Sequence, residues 1–160
     1  MTVIIRRVRT ALQRQYRNAG GILISEAIAG AEGNLDLLSA RCAEQIDCIL
    51  DQVSDLTANP SRRPTAGELR QLHAAVNEML SCCASVKIEG FTDALHAVGR
   101  LVGALLETDV WLDGTLTAAA NLLRLVRRDA VAPENVAVMI RALDQCAVRV
   151  RSPAHATTCQ

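Results

Sequence analysis

The chain has 160 residues, half of them apolar and only 2% aromatic, with 17 basic and 17 acidic side chains and a formal net charge of zero. That length can bury a sizeable core within one domain, and the neutral balance leaves no general field to attract nucleic acid. With so few aromatics the core has to be built from Leu, Val, Ile and Ala, which suits packed helices better than a β-sandwich.

The six cysteines, at 42, 48, 82, 83, 146 and 159, contain no C-x-x-C pair, and no His stands at ligand spacing from two of them. A zinc site is therefore not expected. Most fall on apolar helix faces, where a free thiol behaves as a small hydrophobe, and reduced thiols point to the cytoplasm. No stretch approaches the ~18 consecutive apolar residues of a membrane span, and the N-terminus lacks a signal peptide's continuous apolar region. Lys87 is the only lysine, read here as codon bias of a GC-rich genome.

Residues 1–21 carry Arg6, Arg7, Arg9, Arg14 and Arg17 and no acid. Val3, Ile4, Ile5, Val8 and Leu12 add a weak helical stripe. The simple reading is a terminal helix packing on its own domain; the other is a basic arm laid on an anionic surface or a partner. Gly20-Gly21 closes the segment. From Ile24 to Leu56, apolar residues Ile28, Leu35, Leu38, Cys42, Ile46, Ile49, Val53 and Leu56 recur at three-, four- or seven-residue steps. They predict one face of a helix of about eight turns. Ser25 is the expected cap, and Gly30 and Gly33 mark where a bend is expected. Opposite the stripe, Arg41, Glu44, Asp47 and Asp51 read as a solvated face.

Ala58 to Pro64 is a loop with two prolines, and Thr65 and Glu68 then have capping-box spacing. The helix they open carries Leu69, Leu72, Val76, Met79, Leu80, Cys83 and Val86. A loop from Ser85 to Gly90 leads to a helix with Phe91, Leu95, Val98, Leu101, Val102 and Leu105. Gly99 and Gly103 in that helix favour close approach of a neighbour. Asp113 is the expected cap of a helix with Leu116, Ala119, Leu122, Leu123 and Val126, ending in Arg127-Arg128, where cations favour the dipole. Pro133 suits the first turn of a last helix, with Val136, Met139, Ile140, Leu143, Ala147 and Val150. Residues 153–160 are expected to be a disordered tail. No strand pattern appears. The fold expected is all-α, an antiparallel four-helix bundle within residues 22–152, with an additional helical segment at residues 1–21.

Helix order, helix lengths and the central hairpin of Leu69 to Leu106, with Gly90-Phe91, Leu105, Leu106 and Glu107, resemble histidine-containing phosphotransfer (Hpt) domains, most closely the stand-alone alphaproteobacterial type. The resemblance covers about Ser25 to Val150. In that family a helix bears H-D-x-K-G ahead of a Gly-aromatic step. Counted back from Gly90-Phe91, the phospho-accepting His falls at Leu80, the Lys at Cys83 and the Gly at Ala84. If His73 is the acceptor instead, Val76 and Asn77 replace Lys and Gly. The resemblance thus implies a phosphotransfer fold that has lost its acceptor.

Phosphotransfer needs an exposed, neutral imidazole nitrogen as nucleophile, with a cation to hold the phosphoryl charge. His73 borders the Leu69–Leu72–Val76 stripe without an orienting acid. His96 borders the next stripe, and the two could face each other across the hairpin, but two ligands make a poor metal site. His155 is in the tail. P-loop, Rossmann, nucleophile-elbow and H-E-x-x-H motifs are absent. No enzyme activity, cofactor, metal or nucleic acid is expected. The expectation is a bacterial, cytoplasmic protein that binds a receiver domain or histidine kinase through a surface containing His73, Asn77, Leu80, Ala84 and Lys87. The alternatives are an active phosphorelay protein using His73 and a self-associating helical adaptor, such as a homodimer, unrelated to signalling.

Overall fold

A computed structural model describes residues 24–152, and these residues hold five α-helices and no strand. They are α1 (Ile24–Leu56), α2 (Ala66–Cys82), α3 (Phe91–Glu107), α4 (Thr115–Arg127) and α5 (Pro133–Arg151). The all-α expectation holds. The expectations for the arm at residues 1–21 and the tail at residues 153–160 lie outside the described residues. The chain divides into two compact units, residues 1–37 and residues 38–160.

In the first unit, α1 runs through Gly30 and Gly33 without a break. Ser25 lies inside the first turn and not at the cap position. Every residue from Ser25 to Leu37 is exposed, including Ile28 and Leu35. Of the stripe predicted as one helix face, Ile46, Ile49 and Val53 are buried, whereas Ile28, Leu35 and Leu38 are exposed. Periodicity identifies the face that a helix offers, but not whether anything packs on it.

The second unit is built around α3. Phe91, Ala94, Leu95, Ala97, Val98, Leu101, Val102, Ala104 and Leu105 are all buried, more than half of a 17-residue helix. A helix apolar over so much of its circumference has to be covered on several sides, and α2, α4 and α5 all pack on it. Their predicted stripes supply the rest of the core. Leu69, Leu72, Val76 and Met79 come from α2, Leu116, Ala119, Leu122, Leu123 and Val126 from α4, and Val136, Leu143, Ala147 and Val150 from α5.

Side-chain partners give the directions. Asp47 pairs with Arg127 and Asp51 with Arg124 at 2.9 Å each, and Thr117 Oγ1 donates to the Thr57 carbonyl at 2.7 Å. Increasing numbers in α1 thus meet decreasing numbers in α4, so the two run antiparallel. Gln45 donates to Glu78 at 2.8 Å on α2. By contrast, Arg100 binds Asp144 and Arg151 binds Glu107, so α3 and α5 run in the same direction. Asp47 and Asp51, read as part of a solvated face, remain exposed yet are held by arginines of α4.

Helix boundaries follow local chemistry. The Glu68 amide donates to Thr65 Oγ1 at 3.2 Å and the Thr65 amide to Glu68 Oε2 at 2.7 Å, completing the predicted capping box. Pro133 sits in the first turn of α5, as expected. Asp113 does not cap α4: Gly114 is the cap residue, in a left-handed conformation with φ 76°. Gly90 ahead of α3 does the same at φ 71°. Both are turns that a side chain would strain.

Candidate functional site

The five residues read as a partner surface follow one line along α2 and its C-terminal turn. His73, Asn77, Leu80 and Ala84 are spaced by four, three and four residues, which stacks them on one side of a helix. Lys87 follows in the loop. Asn77, Ala84 and Lys87 are exposed, and His73 and Leu80 are half-buried. Leu80 is half-buried because it leans on the core beneath α2. Above it, Ser81 Oγ donates to the Asn77 carbonyl at 3.1 Å, so the helix backbone here is tied down by its own side chains. His73, Asn77 and Leu80 thus lie along one side of α2, and Ala84 and Lys87 follow in the turn and loop beyond its end at Cys82.

His73 is engaged within its own helix. Asn77 Nδ2 stands 3.2 Å from His73 Nδ1. This contact ties the imidazole to the next turn of its own helix. Arg70, one turn earlier, is exposed.

His96 belongs to a different surface. It is exposed on α3 in a shallow depression with Asp93, Arg100, Ala137, Ile140 and Arg141, that is, against α5. The facing pair suggested by the hairpin does not carry over, because His73 bonds along α2 while His96 looks toward α5. Arg100 is not free to serve His96: its Nε and one terminal nitrogen grip both carboxylate oxygens of Asp144 at 2.9 and 3.0 Å. Among the described residues no group of three His, Cys, Asp or Glu side chains is placed to hold a metal ion.

At the Cys83 position, where the resemblance expects a cation, there is a half-buried thiol. Burial pushes it above the ordinary range, although a hydrogen bond with Thr92 pulls the other way. Its neighbour Cys82 is also raised, first by burial and then by the adjoining Cys42 thiol of α1. High thiol pKa values leave little thiolate at neutral pH and make these cysteines poor nucleophiles. All five described cysteines are free. The approach of Cys42 to Cys82 was not legible in the sequence, since it depends on the antiparallel register of α1 and α2. The arginine–aspartate rungs between α1 and α4 were hidden for the same reason.

Among the described residues no helix is long and apolar enough to cross a membrane. Compared with known proteins, the chain matches no family model, no curated protein and no solved structure.

Proposed function

We propose that the chain is a non-enzymatic, cytoplasmic signalling adaptor of bacterial type. It resembles an Hpt domain that has lost its phospho-accepting histidine, and it binds a receiver domain or histidine kinase through the α2 strip. In this reading α1 to α4 are an antiparallel four-helix bundle and α5 is a fifth helix lying parallel to α3. The ion pairs between α1 and α4 and the opposed directions of α1 and α2 support that arrangement.

The observation that carries the functional reading is the surface around Leu80. Where the resemblance expects an exposed imidazole, an aliphatic side chain lies half-buried on the core between exposed Asn77 and Ala84. Phosphoryl transfer depends on positioning and charge stabilisation, and neither a nucleophile nor a cation occupies the family's spacing here. Docking makes other demands. A helix face with small side chains and few charges can seat a partner helix without the chemistry.

The test is incubation with phosphorylated receiver domains and their kinases, read by label transfer and by a binding assay. Binding without label is expected, weakened at least tenfold by Ala84→Arg or Lys87→Glu, both at exposed positions. Label on His73 that His73→Gln abolishes would replace this reading with active phosphotransfer. Self-association through the same strip, with no affinity for any receiver or kinase, would replace it with an adaptor outside signalling.

A further inference from the structure

The interface between α1 and α2 brings together two thiols that the reading of the α2 strip does not use. Gln45 of α1 donates to Glu78 of α2 at 2.8 Å, which fixes the register of this antiparallel pair. Further along α1, Ile49 and Gln52 line one depression with Gln71 and Ala75 of α2, as that register requires. In the other direction, Cys42 lies three residues before Gln45 and Cys82 four residues after Glu78. Each step is about one helical turn, and the Cys42 thiol adjoins the Cys82 thiol. Both residues are half-buried, so a small oxidant reaches them. The other described cysteines have different neighbours. Cys83 bonds with Thr92 of α3, the exposed Cys48 accepts from Gln52 at 3.7 Å, and Cys146 packs on the core from α5.

We propose that Cys42 and Cys82 are a redox clasp, joined by a disulfide under oxidising conditions and opened by thiol reductants. The oxidant is a peroxide. One of the two sulfurs, as its thiolate, attacks the O–O bond, which breaks to leave a sulfenic acid and release one water. The second sulfur attacks the first, the S–S bond forms, and the sulfenic oxygen leaves as another water. The two thiols together give up two electrons and two protons, and the peroxide takes up both. Poor nucleophilicity makes the first step slow. The neighbouring sulfur decides which bond follows. A disulfide holds its Cα atoms about 5.5–6 Å apart. Cys82 is the last residue of α2, so any adjustment this demands falls on the helix end and the turn beyond it. The bond closes the chain from Cys42 to Cys82 into a ring, which restricts the unfolded state and fastens α1 to α2 in the folded one.

Peptide mapping of the full-length protein tests this. The reduced protein is treated with hydrogen peroxide, its remaining thiols are alkylated, and it is digested without reductant. A peptide linking Cys42 to Cys82 within one chain is expected. It should be absent from Cys42→Ser and from Cys82→Ser and retained in Cys83→Ser. Peroxide should also raise the Tm of the unsubstituted protein by about 5 °C or more, because a long loop is closed. Dithiothreitol should reverse the rise, and Cys42→Ser should show none. Sulfenic or sulfinic acid without a link, a link from Cys42 to Cys83, or a link between two chains would overturn the clasp. So would a linked protein whose Tm is unchanged or lowered.

Discussion

Three glycines and one carboxylate show how much a single position decides. Gly90 is held at φ 71°, and a methyl group there would also meet Val136 at 3.4 Å. Gly90→Ala should therefore cost about 1–2 kcal/mol from the left-handed backbone alone. Gly99 is in the middle of a helix, and a methyl group would meet Val76 at an ordinary 3.6 Å. Gly99→Ala should stabilise by up to about 1 kcal/mol. Urea denaturation midpoints of the two variants are expected to move in opposite directions, although both replace glycine with alanine. Gly103, read with Gly99 as a small-residue pair, faces the Arg151 side chain instead, so the two serve different neighbours. The carboxylate is Glu68, held down to about 2 from 4.5 by hydrogen bonds from Arg62 first and then from the Thr65 amide and hydroxyl. Its folded-state value lies below the unfolded one. Its contribution is thus complete above about pH 4.5 and lost as pH falls through about 2. Glu68→Gln should be less stable than the parent at pH 7, and the two should converge near pH 2. A carboxyl titration followed by NMR would locate the midpoint directly.

At the scale of elements, α1 to α5 were all legible as helices, and only the exposure of the first part of α1 was not. Capping-box spacing at Thr65 and Glu68, Pro133 in a first turn and Arg127 near a helix end are local signals with local causes. The burial of Leu69, Leu95, Leu122 and Leu143 followed from period alone. Ile28 and Leu35 obey the same period but are exposed, because burial also needs a neighbour, and a neighbour is a tertiary fact. The same limit applies to the strip on α2. Its helical line from His73 to Leu80 follows from spacing, whereas the contact of Asn77 with the His73 ring depends on rotamers. The sharpest expectation at this scale concerns Leu95, which is fully buried on the most enclosed helix. Leu95→Ala should destabilise by about 2–5 kcal/mol through lost burial and the cavity left behind. A change below about 0.5 kcal/mol, typical of surface sites, would show that α3 is not the centre of the core.

For the molecule as a whole, apolar packing and exposed ion pairs have separate tasks. The bridges Asp51–Arg124, Asp47–Arg127, Arg100–Asp144 and Glu107–Arg151 link helices distant in sequence, yet all include an exposed partner. Exposed pairs contribute about 0–1 kcal/mol each and weaken with salt. A double-mutant cycle on Asp51 and Arg124 should give a coupling below about 1 kcal/mol, falling further in 1 M salt. A coupling several times larger would mean that the pair is shielded from water. Composition foreshadowed this division. A chain with equal numbers of acids and bases and an aliphatic half leaves stability to the aliphatic core and register to the charges.

The parallel alignment of α3 and α5 has a consequence for synthesis. On the side of α3 marked by Arg100 and Glu107, the last described helix packs alongside it. During translation, α1 to α4 emerge first, and the central helix must wait with that side bare until Pro133 to Arg151 has left the ribosome. A product that stops before Pro133 therefore presents apolar surface that the finished chain hides, and such surface is what chaperones and proteases recognise. The helix that closes that side of α3 is thus also the one whose arrival ends the exposure.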